Sequence, residues 1–409
     1  MEHFFKPFNV KGKSYRSHLQ MAMTYFLVAA ILGLLLRFYP ILGLDFNYRF
    51  VVHGHSHIAL LGWVYVALTT LLHFCFLEKK KSSRTYKRIF WFTQATLIGM
   101  LLTFPFQGYA LFSIVFSTLF LIVSYVYVYH FWKNIDLKYK HSKGLKCAKA
   151  ALIYMMISSL GPWALGAIMN SLGPQSIWYR LAIYFYLHFQ YNGWMILAVV
   201  GIFLFVWEQH GLEIPKKSFT HFFLSFNLGI VFTFFLSTLW TKPPFGFYTL
   251  AGFGAMAQLY AFACLWGMIK NQFFELSLTK LQTLLIKLVV AMGLIKIVLQ
   301  LLTVLPYFST MAAKYLDFTI GYLHLTFLGV ISMALFFFMD YFEMFRISTK
   351  SFPWYFVGFI LTEALIFYKG IAAWQGWGIF EGQGKLMAWA TLLIPIGIAI
   401  MLIKNRALT

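Results

Sequence analysis

The sequence predicts an all-α, polytopic membrane bundle of about twelve transmembrane helices, and three observations predict it. Hydrophobic residues make up 61% of the 409 residues and aromatic residues 21%, while charged residues reach only 11%, less than half the usual share of a soluble domain. Apolar stretches of about 20 residues, long enough to cross a hydrocarbon core about 30 Å thick, recur along the whole chain. The Lys and Arg residues behind the formal net charge of +21 crowd between these stretches. There they set topology in a lipid bilayer, and nucleic acid is excluded as a partner.

The first stretch, 19–38, follows Lys6, Lys11, Lys13 and Arg16 in the manner of a signal peptide. It is long enough to span and lacks a small-residue cleavage site, so it reads as a retained helix. Charged or Pro/Gly breaks then delimit 50–77, 88–106, 108–132, 147–170, 178–207, 219–240, 247–269, 281–305, 318–341, 352–374 and 385–403. The connections after the even-numbered stretches hold Lys79 to Lys81 with Arg84, Lys87 and Arg88, then 133–149, Lys216 with Lys217, Lys270 with Lys280, and Arg346 with Lys350. The other connections are short and nearly free of Lys and Arg. The positive-inside bias therefore places both termini in the cytoplasm and the protein in the cell's inner membrane. No loop is long enough for a second domain, so residues 1–409 form one transmembrane domain, with no fixed-period repeat standing out. Cys75, Cys147 and Cys264 lie far apart and form no CxxC or CxxCH, so any haem is held non-covalently.

Histidines carry the chemistry. The second, sixth and tenth stretches run in the same direction, and each has a histidine near its beginning. His57 and His324 lie about 7 residues in, roughly 10 Å below the boundary, and His188 lies about 10 residues in, roughly 15 Å deep. His53 sits one turn above His57. His53 and His57 share a helical face, whereas His55 points the other way, so one face is free for haem and the other for a different partner. Imidazoles at matching depth on facing helices can hold a porphyrin, and neutral imidazoles suit iron, copper or zinc. Gln190, Tyr191, Asn192 and Ser56 are candidate hydrogen-bond partners for the second ring nitrogens. His73, His130, His141, His210 and His221, at basic ends or in loops, read as ordinary hydrogen-bonding residues.

Taken together, Phe46-Asn47 before His53-Gly54, twelve stretches, and histidines on the second, sixth and tenth resemble the catalytic subunit I of the haem-copper oxidase superfamily. His55-Ser56-His57 followed by Gly62-Trp63 is also similar to NnrS-like haem-copper membrane proteins. The resemblance implies haem b ligated by His53 or His57 together with His324, copper as a second metal near His188, and quinol or cytochrome c as electron donor. The departures are equally specific. The seventh stretch has only His221, near its basic end, where the superfamily has an adjacent histidine pair. The tenth has one histidine instead of two, and His188 is followed by Phe189-Gln190-Tyr191-Asn192 without the family's Pro-Glu or its tyrosine four residues on. An oxygen-reducing, proton-pumping centre is not expected. The resemblance tilts the reading toward oxidoreductase chemistry or binding of a diatomic gas, with nitric oxide ahead of oxygen.

Two charges fall deep inside later stretches. Glu363 lies near the middle of the eleventh, and Lys296 lies in the ninth with Lys287 and Gln300 on the same broad face. Charges at such depth need partners, so Lys296 is expected to pair with Glu363, as a structural ion pair or as part of a proton path. Arg37, Arg49 and Lys242 are candidates for haem propionates because guanidinium forks match carboxylates. The competing class is a transporter or channel for metal ions or protons lined by these same residues. Against it, no pair of matching broken segments marks inverted repeats. A third reading is a membrane electron carrier or assembly factor that holds haem without turnover.

Overall fold

The computed structural model describes residues 13–406. Twelve helices are long and apolar enough to cross a membrane. They are α1 (Ser14–Leu42), α2 (Tyr48–Phe76), α3 (Lys79–Gln107), α4 (Leu111–Lys133), α5 (Lys143–Ser171), α6 (Ile177–Gln209), α7 (Lys216–Thr241), α8 (Phe245–Ile269), α9 (Lys280–Leu302), α10 (Leu316–Tyr341), α11 (Phe352–Gln375) and α12 (Gln383–Arg406). The chain is a multi-pass membrane protein, all-α, with no β-strand among the described residues. Lys6 and Lys11 lie outside those residues.

Several expected boundaries shift. The basic run from Lys79 to Arg88 is not a loop but the opening turns of α3, because Lys, Arg and Ser can continue a helix past the hydrocarbon edge into water. The ninth helix ends at Leu302 rather than at 305, and a short separate helix, Pro306–Lys314, follows it. Its Pro306 takes the first turn, where a missing N–H costs nothing. Asn47, read from sequence as part of a family motif, is the N-cap of α2, its side chain accepting from the Phe50 N–H at 3.2 Å. Thr279 and Gln282 form a reciprocal capping box that starts α9.

Consecutive helices pack as neighbours, and α1 packs against α12 to close the ring. Three helices stand inside that ring. The most apolar windows of α2, α6 and α10 are 94, 83 and 72% buried, against 28–56% for the other nine. Lipid therefore meets the outer nine, and polar sites belong where the inner three face the buried sides of their neighbours.

A recurrent feature without a fixed period joins the three inner helices. Each inner helix is second in a group of four, and each turns into π-helix directly after a histidine: Ile58–Tyr65 after His57, Phe189–Met195 after His188, and Leu325–Ser332 after His324. Each π-segment has a glycine five residues beyond its histidine, and each glycine lets a neighbouring helix approach, the preceding one at Gly62 and Gly193 and α11 at Gly329. A Cβ on Gly62 would lie 2.8 Å from Tyr25 of α1, one on Gly193 2.7 Å from Tyr154 of α5, and one on Gly329 3.0 Å from Phe359 of α11. The pattern is His-x4-Gly-Trp, His-x4-Gly-Trp and His-x4-Gly-Val. It escaped a search for fixed periods because the three copies share only two or three positions. π-Helices are rare and concentrate at functional sites.

Candidate functional site

The three inner helices divide the interior into three sectors, each with its own polar cluster. In the sector bounded by α2, α3 and α6, His57 donates its Nδ1–H to the His53 carbonyl oxygen at 2.8 Å and stacks on Phe104 with ring centroids 4.1 Å apart. His53 lies edge-on to Tyr109 at 4.7 Å. Arg49 acts electrostatically on both His53 and Tyr109. Arg49 therefore belongs to this sector.

The sector bounded by α10, α11, α1 and α2 holds His324, Glu363, His55 and Arg37. His55 donates Nδ1–H to the Ala29 carbonyl oxygen of α1 at 2.8 Å, and a Cβ on Gly33 would sit 3.0 Å from its ring. His324 Nδ1 lies 3.7 Å from Glu363 Oε1, beyond a direct hydrogen bond. Neither that nitrogen nor either Glu363 oxygen has a hydrogen-bond partner among the described residues. Arg37 and His55 both act electrostatically on His324, and Arg37 on Glu363 as well. The imidazole that shares a sector with His324 is thus His55, not His53 or His57. The expected pairing of His53 and His57 with His324 is corrected, because the face of α2 carrying them turns toward α3.

The ring chemistry of His55 and His324 suits an iron ligand. A carbonyl only accepts, so the bond to Ala29 fixes the proton of His55 on Nδ1 and leaves the Nε2 lone pair free. His55, His57 and His324 lie deep in the protein yet keep part of their surface accessible. Their Nε2 atoms form no hydrogen bond among the described residues, so these rings face internal space. Arg37 is placed to meet a carboxylate in the His324 sector, a role that Arg49 and Lys242 do not share. Lys242 ends α7 in left-handed backbone, φ 53°.

The sector bounded by α6, α7, α9 and α10 differs. His188 Nε2–H donates to the Ile230 carbonyl oxygen of α7 at 2.8 Å, and its Nδ1 accepts from the Asn192 amide at 3.2 Å. Both ring nitrogens are committed. Asn192 Oδ1 in turn accepts from Lys296 Nζ at 2.7 Å, and Gln300 Oε1 accepts from the same ammonium at 2.8 Å. The expected pairing of Lys296 with Glu363 is therefore corrected: Lys296 on α9 faces α6, while Glu363 on α11 faces His324. Lys287, expected on the same face, is exposed. Tyr191 and Tyr322 present their rings to Lys296 at 5.8 and 5.5 Å. Gln190 is buried, its side-chain oxygen without a hydrogen-bond partner. Among the described residues, no group of three or more His, Cys, Asp or Glu side chains is arranged to hold a metal ion.

Sequence reasoning missed a fourth cluster at the basic end. His73 bonds the Tyr15 hydroxyl at 2.8 Å, His130 accepts from Asn134 at 3.2 Å, and His18 stacks on Phe90 at 3.5 Å. The available signal was that His73 and His130 lie inside apolar stretches and His18 directly before one, where a polar ring needs a partner.

No family model matches this chain, and no curated protein is significantly similar to it.

Proposed function

We propose that this protein is a membrane haem protein that holds b-type haem between His55 of α2 and His324 of α10 and performs one-electron redox chemistry. One observation carries the reading. Two imidazoles on adjacent inner helices meet in one sector, each with its Nε2 unbonded, while Arg37 stands beside them. Iron held there supplies a ferric/ferrous couple. The residues supply what surrounds it: the Ala29 carbonyl fixes the tautomer and direction of His55, Glu363 places a carboxyl group beside His324, and Arg37 offers a partner for a propionate.

The arrangement favours a haem closed by two histidines, an electron carrier within a framework similar to subunit I of the haem-copper oxidases. It does not favour diatomic gas chemistry at a second metal, because His188 has no free nitrogen for copper and Lys296 puts a positive charge beside it. In this reading quinol or cytochrome c is the electron donor, and the basic ends of the helices face the cytoplasm from the inner membrane. A transport path is not needed to account for the buried charges, since Lys296 is bonded to two amides and Glu363 faces His324 and Arg37.

The visible spectrum of the purified protein tests the proposal. The expected result is a b-type reduced-minus-oxidised signal that carbon monoxide leaves unchanged. A folded, colourless, iron-free protein overturns it, and a carbon monoxide shift would replace the carrier reading with a gas-binding one.

A further inference from the structure

We propose that the seam between α8 and α9 holds one anionic glycerophospholipid, with an acyl chain in an apolar cavity and the phosphate over the lysines at its mouth. Four helices leave this cavity of about 100 Å³ between them. Val199 of α6, Leu265 and Ile269 of α8, Val290 of α9, and Ala334 and Phe338 of α10 line it, and the surface they present there is wholly apolar. Val199, Val290 and Ala334 end short where the four faces meet, so the void stays open. Water gains no hydrogen bond from such walls, and an apolar void of roughly 150 Å³ in a soluble protein stays dry and takes up benzene. The fitting occupant is hydrocarbon. The cavity is open on one side, and of its four helices α6 and α10 are inner while α8 and α9 belong to the outer nine. Its opening therefore lies in the α8–α9 seam and faces lipid. The hydrocarbon at that opening is an acyl chain, whose methylenes restore the dispersion contacts that an empty void forfeits.

Charge selects the lipid. The cavity lies close to the basic ends of its helices, since Ile269 closes α8 and Ile286, which also lines it, stands less than two turns into α9. Lys270, Lys280 and Lys287 are exposed around this end, and none of them forms an ion pair among the described residues. Between Lys270 and Lys287 the sequence has one acidic residue, Glu275, so the mouth keeps a net positive charge. Lys287 follows Ile286 on the outer side of α9, where a long apolar stem can run along the seam while its ammonium reaches the level of the phosphates. A headgroup with a phosphate and no cation of its own complements this patch, whereas a choline headgroup brings a further positive charge to it. None of this depends on haem.

Native mass spectrometry of the delipidated full-length protein tests the site, with dioleoyl phosphatidylglycerol and dioleoyl phosphatidylcholine as the two probes. One phosphatidylglycerol should bind more tightly than phosphatidylcholine by about tenfold or more. Lys287→Gln should weaken phosphatidylglycerol about fivefold, the share of one lysine beside an anionic headgroup, and leave phosphatidylcholine unchanged. Val290→Phe fills the cavity, so it should weaken both lipids while raising the thermal unfolding midpoint of the lipid-free protein. Equal affinity of the wild type for the two lipids overturns the proposal, as does a Val290→Phe protein that binds phosphatidylglycerol as tightly as the wild type. Should Val290→Phe not fold, anomalous scattering from wild-type crystals grown with phosphatidylglycerol brominated on its acyl chains decides: a bromine peak beside Leu265 and Val290 supports the site, and its absence overturns it.

Discussion

His188 and His324 occupy the same place in their respective helices: each closes an α-helical segment, precedes a π-turn, and stands five residues before a glycine. Their surroundings have nothing else in common. His188 spends both nitrogens on the Ile230 carbonyl and the Asn192 amide, whereas His324 has no hydrogen bond among the described residues and faces Glu363 at 3.7 Å. The difference lies in what the neighbouring helices bring. Toward His324 come His55 and Arg37; toward His188 come Lys296 and the Ile230 carbonyl. One motif thus builds a site open to a ligand in one sector and a closed hydrogen-bond network in another. A histidine's chemical availability is set by who else needs its nitrogens.

The largest expected effect separates the two histidines directly. His324→Ala and His55→Ala should each abolish the b-type reduced-minus-oxidised signal, while His188→Ala leaves it in place; loss of the signal in His188→Ala alone would reverse the roles assigned here.

Breaking the closed network should cost stability instead. Asn192→Ala removes the acceptor for Lys296 and the donor for His188 together, leaving buried polar groups unpaired, and should lower unfolding free energy by about 3 kcal/mol. Chemical denaturation in detergent micelles measures it, with the haem signal of the folded fraction unchanged.

The glycines test the shared framework. Gly193→Ala and Gly62→Ala place a Cβ at 2.7 and 2.8 Å from tyrosine carbons of the neighbouring helix, an overpacking that should cost about 2 kcal/mol. Gly329→Ala meets the ring tip of Phe359 at 3.0 Å, and a ring tip yields more readily than a Cβ next to backbone, so its effect in the same denaturation should be smaller.

The smallest effect concerns the contact between inner helices. Trp63 Nε1 donates to Ser332 Oγ at 2.8 Å, linking α2 to α10. Ser332→Ala should cost about 1 kcal/mol and leave the spectrum of the haem unaltered, since the bond lies a full π-segment away from His324.

Much of the framework was legible in the chain. Twelve helices, their approximate limits, and the place of His57, His188 and His324 in the first half of the second, sixth and tenth followed from apolar length and charged breaks. The limits that moved, such as the start of α3 at Lys79, moved because a helix does not stop where the hydrocarbon does. The partition of α2 into two faces was also legible, as residues four apart share a face and residues two apart do not. What each face meets was not. His55 and His57 exchanged their expected partners because spacing along one helix gives relative directions and says nothing about where the neighbouring helices stand.

The same limit explains the charges. Lys296 and Glu363 were correctly read from sequence as buried ionisable residues, and their pairing was the economical inference from opposite sign and similar depth. Only the tertiary structure decided that α9 turns Lys296 toward Asn192 while α11 turns Glu363 toward His324. By itself the sequence determined the composition-driven outcomes, namely membrane-spanning helices, their number and the place of each polar group along its helix, because these depend on sums along one strand of chain. Rotation of each helix about its own axis depends on how side chains of several helices fit at once, and it is this rotation that determines which imidazole keeps a free nitrogen.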